Sequence, residues 1–206
     1  QKNGEALSKA RKKAAKSLQE RVREELRQLD MPKVRFETEF LPKPGEWGMD
    51  ETGMDEVQFL MSANLGEDLK PIQKVASGGE LARIMLALKN VLAEDDGIHS
   101  LVFDEVDTGV SGRAAQKVAE KMADVARRKQ VLCVTHLPQI AAMADTHFSV
   151  EKGEKKGRTF TRVERLDQKG RVDELARLIG GAALTDSLRQ SASELLAQAE
   201  TYRQNR

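Results

Sequence analysis

Two short apolar runs, LVF at 101–103 and VLCV at 131–134, flank an amphipathic stretch at about 112–128, and each breaks off abruptly into polar residues. Short apolar strands joined by a helical crossover pair in parallel, so this spacing predicts strand, helix, strand within an α/β sheet covered by helices on both faces. In open sheets of that kind ligands bind in the crevice beyond the carboxyl ends of the strands. Those ends carry Asp104-Glu105 and His136.

Each polar group has an ordinary reading beside a chemical one. Asp104 and Glu105 are either a solvated strand end or the acidic pair that phosphoryl transfer requires. In the latter case Asp104 holds Mg²⁺ and Glu105 orients or deprotonates the attacking water. Adjacent strand residues point to opposite faces, so the two tasks are compatible only where the strand stops and the backbone turns. His136 is either a surface imidazole or a donor to a phosphate oxygen, and it meets the acids only if the two strands are neighbours. His99 and His147 are read as structural or surface residues.

A third stretch, ASGGELARIMLALK at 76–89, opens a helix expected over 79–92, with Leu81, Ile84, Met85, Leu88 and Leu92 on one side. Ser77 followed three residues later by Glu80 is a capping box. A cap does not explain Gly78 and Gly79, each of which weakens a helix by about 1 kcal/mol relative to Ala. Without Cβ atoms the first-turn N–H groups lie open, and the positive end of the helix dipole favours an anion such as a terminal phosphate.

The chain has 206 residues, 39% hydrophobic, enough for one full-sized domain and an appendage. Lys+Arg 34 against Asp+Glu 33 excludes a polycation, so contact with nucleic acid must be local. The single cysteine, Cys133, lies within an apolar run, which predicts a buried thiol in a reducing compartment and excludes a disulfide. No apolar run approaches the roughly 20 residues of a membrane helix. The chain starts at Gln1, without Met, and is expected to be a piece of a longer protein.

Residues 3–29 hold no Pro and no Gly after Gly4. Leu7, Ala10, Ala14, Leu18, Val22, Leu26 and Leu29 form one helical stripe whose steps average near 11/3, which predicts a partner helix crossing with little supercoil. Lys2, Lys9, Arg11, Lys12, Lys13, Lys16, Arg21 and Arg23 make this helix basic. They are either a solvated stalk face or a contact to DNA phosphates. After Met31-Pro32 the pattern predicts strands near 34–38 and 57–63 around a Pro/Gly-rich loop at 41–55, with a polar connection at 64–74. Later strands are expected near 146–151 and 158–166. A helix at 171–179 is closed by Gly180-Gly181, and Thr185 caps a last helix.

In order and wording, the three stretches resemble the C-terminal lobe of an ABC-type ATPase head: signature motif, Walker B strand with D-loop, and H-loop. KVASGGELARIMLALK, LVFDEVDTGVSG, THLPQIAAMAD and ELARLIGG are similar to the RecN family of bacterial DNA-repair ATPases, relatives of the structural-maintenance-of-chromosomes (SMC) proteins, over residues 31–196. The resemblance implies that Ser77, Gly78, Gly79 and Glu80 form a signature that contacts the γ-phosphate of ATP held by an opposite head. It implies Asp104 as the magnesium residue, Glu105 as base and His136 as switch histidine. Gly109, Ser111 and Gly112 would lie in the D-loop, which departs from the Ala-Leu-Asp of transporters.

No Gly-x-x-x-x-Gly-Lys-Ser/Thr loop occurs in the chain. By the resemblance, a Walker A lobe of the same protein, a second head and DNA are the expected partners, ATP and Mg²⁺ the cofactors, and bacterial cytoplasm, with nucleoid association, the location. Residues 1–30 would be the returning helix of a coiled-coil stalk and residues 31–206 the C-terminal lobe. The rivals are an ABC ATPase of another class, such as a transporter subunit, and a non-hydrolysing coiled-coil DNA tether.

Overall fold

The computed structural model describes residues 2–45, 48–62, 66–74, 78–92, 97–155, 158–181 and 183–205. The expected strand end at Ala63 and the signature residue Ser77 lie outside them. The chain forms two compact units, Gln1–His99 and Ser100–Arg206.

The first unit begins with helix α1 (Lys2–Gln28), which lies on a three-stranded antiparallel sheet of β1 (Arg35–Pro42), β2 (Asp55–Ser62) and the short β3 (Lys70–Pro71), and on helix α2 (Gly78–Leu92). Val22, Leu26, Leu29, Phe36 and Met61 are essentially fully buried where α1 meets the sheet. The buried positions of α1 are Ser8, Ala15, Val22 and Leu26, followed by Leu29. Ser8, Ala15, Val22 and Leu29 step by seven, so the seam is heptad-like and not the near-11/3 stripe read from hydrophobicity. The two patterns coincide only from Val22 onward. Towards the start of the helix the seam is polar: Ser8 Oγ donates to Asp55 Oδ1 at 2.8 Å, and Leu7, Ala10 and Ala14 stay exposed. On α2 the buried face runs through Ile84, Ala87, Leu88 and Val91, rotated from the expected one, with Met85 and Leu92 partly exposed.

The second unit holds β4 (Ser100–Phe103), α3 (Gly112–Ala126), β5 (Gln130–Cys133) and the six-residue helix α4 (Pro138–Met143). A hairpin of β6 (Phe148–Lys155) and β7 (Arg158–Arg165) follows, and helices α5 (Gln168–Gly180) and α6 (Asp186–Gln204) complete it. β4 and β5 pair in parallel, with Leu101 opposite Val131 and Phe103 opposite Cys133. The expected α/β character is present, but not the two-sided cover. Leu101 and Phe103 are buried, whereas Val102, Leu132 and Val134 on the opposite face are exposed, Val102 by 72%. A strand of parallel sheet is normally covered on both faces; here one face is exposed. Thr185 caps α6 by accepting from Leu188 N, and Gly181, at φ 83°, ends α5. Gly180 lies against Leu188, where a Cβ would collide, so α5 and α6 approach closely. No described helix is long and apolar enough to cross a membrane.

Candidate nucleotide-binding site

β4 and β5 stop side by side. Val134 N donates to Phe103 O at 3.0 Å, one step beyond the last paired residues. Asp104-Glu105 and Thr135-His136 therefore leave neighbouring strands at one carboxyl end. At Glu105 the chain takes φ 59°, the left-handed region that a residue with a Cβ enters at a cost of roughly 1–2 kcal/mol. This is the backbone turn that divergent carboxylates require. Glu105 N donates to Asp104 Oδ1 at 2.9 Å, and Thr108 N to Glu105 O at 3.1 Å. Both acids remain exposed.

The turn drives Val106 and Asp107 inward. Asp107 is 3% exposed, and its Oδ2 is the acceptor on which the second strand's exit converges. Thr135 Oγ1 donates to it at 2.6 Å, His136 N at 3.0 Å, and His136 Nδ1 lies 3.1 Å away. Thr135 Oγ1 in turn accepts from Leu137 N at 3.0 Å, just before Pro138 opens α4. The His136 side chain is 72% exposed, so its ring projects to solvent from a buried anchor. Sequence reasoning missed Asp107. Its only signal was a third acid in the DEVD run, and nothing local distinguishes it from a solvated turn residue.

At its other end α4 is held by cations. Arg171 Nη2 donates to Ala142 O and Ala144 O at 3.2 and 2.7 Å, and Arg203 Nη1 to Ala144 O and Asp145 Oδ1 at 3.2 and 2.8 Å. These guanidinium groups satisfy carbonyls that a helix end leaves without partners. His147, read as a structural or surface residue, stands beside them; burial first and then Arg171 hold its imidazole below the ordinary value.

Gly109 and Gly112 adopt φ 74° and 51°, and the exposed Ser111 between them is the N-cap of α3 without a side-chain capping bond. In the first unit, Gly78 heads α2 and is exposed, Gly79 is buried and Glu80 half-buried. Burial lowers the Arg83 guanidinium one turn further on, with Glu80 opposing.

Cys133 ends β5. Burial, then Asp107 and Asp104, push its thiol up to about 12. A thiol ionising that high is neutral at pH 8, so alkylation there should run about a thousandfold slower than for free cysteine and reach the ordinary rate in urea. Rapid labelling of the folded chain by iodoacetamide would contradict this environment.

Among the described residues no cluster of three His, Cys, Asp or Glu side chains is able to hold a metal unaided. Mg²⁺ keeps its waters and binds through one or two carboxylates together with substrate phosphates. Asp104 offers such a carboxylate, exposed at a strand end.

No protein-family model matches the chain. It is 47% identical over 201 residues, 97% of its length, to the DNA repair protein RecN of Halalkalibacterium halodurans, and covers 36% of that protein. The RecN of Bacillus subtilis is likewise 47% identical over 206 residues, with 94% of this chain and 36% of the relative covered. Among solved structures, an SMC head domain with coiled coil and joint from Pyrococcus yayanosii superposes with TM-score 0.54 at 19% identity, over 90% of this chain and 29% of that one. A structure described as concerning ATP-driven dimerization and DNA-stimulated activation of SMC ATPases gives TM-score 0.51 at 18% identity, over 83% of this chain and 96% of that one. The chain thus spans about a third of the length of the relatives it matches, and the structural likeness is one of fold.

Proposed function

Because the chain belongs to the RecN family, as the C-terminal part of such a protein, we propose that it is the C-terminal lobe and stalk root of an ATPase head that closes on a second head around ATP in DNA double-strand-break repair. The observation that carries this reading is the shared carboxyl end of β4 and β5, where two acids and an imidazole emerge together. Asp104 would hold Mg²⁺, which when bound neutralises charge on the β- and γ-phosphates. Glu105, turned away from Asp104 by its left-handed backbone, accepts the proton of the attacking water. His136 faces a phosphate oxygen from the exit of β5, where its backbone N–H is anchored on Asp107. Ser77, Gly78, Gly79 and Glu80 would form the signature that meets the nucleotide of the opposite head, where Gly78 heads α2, and Gly109, Ser111 and Gly112 would line the D-loop between heads. The Walker A lobe comes from the same protein.

A shared site makes a specific demand. Complete heads carrying Ser77→Arg and complete heads carrying Glu105→Gln are each expected to be inactive. Mixed in equal amounts they form heterodimers with one doubly damaged site and one intact site, which restores roughly a quarter of wild-type turnover if dimers exchange freely. Mixtures as silent as their components would refute a site built across two heads.

The basic face of α1 divides by structure. Arg21 Nη2 donates to Val91 O, Arg23 Nε to Phe36 O, and Arg11 lies 3.7 Å from Asp55, so these three belong to the fold. Lys9, Lys13 and Lys16 are exposed, while the ammonium of Lys12 sits 5.8 Å from the centre of the Phe40 ring. If the exposed lysines neutralise DNA phosphates, affinity falls with salt at a log-log slope of about −0.9 per contact, and Lys9/Lys13/Lys16→Ala flattens that slope by up to about 0.9 for each lysine lost. An unchanged slope, measured by fluorescence anisotropy on duplex DNA, makes them solvated stalk surface.

A further inference from the structure

The geometry points to Asp107 as a positioning residue for His136: a buried carboxylate that ties the turn after β4 to the exit of β5 and fixes the place from which the imidazole reaches the nucleotide. The inference rests on the reading of His136 as a phosphate contact and adds the group through which that contact is held. A 72%-exposed imidazole has no packing to fix its ring and would sample many rotamers on its own. Here both its backbone and its ring are referred to one atom, because Asp107 Oδ2 accepts from His136 N and from Thr135 Oγ1 and lies 3.1 Å from His136 Nδ1.

Asp107 is itself fixed. It is 3% exposed, follows the fully buried Val106, and its carbonyl accepts from Val110 N at 3.3 Å in the turn that begins at left-handed Glu105. The peptide that aims Glu105 outward is thus continuous with the one that sends Asp107 under the histidine. Base and imidazole are placed by one turn, and a shift of that turn moves both. Asp107 touches neither water nor phosphate in this scheme; it acts through His136.

A double-mutant cycle on the complete protein tests this. Asp107→Ala is expected to lower the kcat for ATP hydrolysis by about 10- to 100-fold, the range seen when an orienting partner is removed from a functional histidine, with KM for ATP little changed. On a His136→Ala background the same substitution should cost nothing further. Asp107→Asn retains an oxygen in the place of Oδ2 and should recover most of the loss. A purely structural role predicts the same fold-loss in both backgrounds and overturns the assignment, as does wild-type turnover in Asp107→Ala. Should the alanine variant not fold, Asp107→Leu, of similar size, takes its place in the cycle.

Amide-exchange spectra separate this inference from the reading beneath it. The His136 N–H, which donates to Asp107 Oδ2 at 3.0 Å, should exchange slowly in the wild type, quickly in Asp107→Ala and slowly again in Asp107→Asn. A fast-exchanging His136 amide in the wild type sinks the assignment whatever the turnover. Full activity in His136→Ala with the expected spectra means instead that the histidine is held as described but does not serve phosphate chemistry.

Discussion

Glu105→Gln in the complete protein is expected to reduce ATP turnover by about 10²- to 10⁴-fold, the contribution of a positioned general base, while nucleotide binding persists. The substitution is unusually clean at this position. Glu105 stands at φ 59°, where any side chain with a Cβ bears the same strain, and glutamine matches glutamate in shape. Backbone, turn and the Glu105 N to Asp104 Oδ1 bond at 2.9 Å should all survive, so the loss falls on proton transfer alone. Asp104 keeps its carboxylate for Mg²⁺, and closed, ATP-loaded heads should accumulate. Equilibrium binding of a fluorescent nucleotide beside a steady-state phosphate assay reads both halves of the prediction. Wild-type turnover would remove Glu105 from the role of base, and lost binding would show that the variant disturbed the turn itself.

The elements that carry this chemistry were legible because their signals are local. Apolar runs ending in polar residues marked β4 and β5, and one crossover helix implied their parallel pairing, observed in the register Phe103 to Cys133. Thr185 and Gly181 announced helix ends through chemistry confined to a few residues. What escaped notice depends on distance in sequence. Asp107 gains its meaning from Thr135 and His136, which reach it only when the strands pair. The helix α4, six residues long, is too short to show a helical period. The seam of α1 departs from its hydrophobic stripe because near the helix start a serine is buried against Asp55 and leucine and alanine are left outside. The bare face of Val102, Leu132 and Val134 could not be read at all, since an apolar strand looks the same whether its cover is present or not.

Phe36→Ala should be the most damaging single truncation in the first unit, at about 3–5 kcal/mol, a large part of the 5–15 kcal/mol that holds a typical domain together. Phe36 is fully buried on β1, opposite the buried Met61 of β2, and its ring centre lies 5.4 Å from that of Phe59. Its carbonyl accepts from Arg23 Nε of α1 at 3.3 Å. Removing the ring empties a site that cannot easily collapse, because the backbone on one side is laddered to β2 and on the other is tied to the helix. Phe59→Ala, at a partly exposed position, serves as the comparison and should cost far less. The consequence reaches α2, since Arg21 Nη2 donates to Val91 O at 2.8 Å and Asn90 Nδ2 to Glu25 Oε2 at 2.6 Å, both joining α1 to the carboxyl end of the helix whose other end carries Gly78 and Gly79. A stalk root loosened from β1 should therefore also loosen its hold on α2. Urea denaturation of the two variants gives the difference in stability, and amide exchange along α2 shows whether protection there falls with Phe36→Ala and not with Phe59→Ala. Equal losses in both variants would mean that the ring pair, and not the buried seat of Phe36 beneath α1, is what the unit depends on.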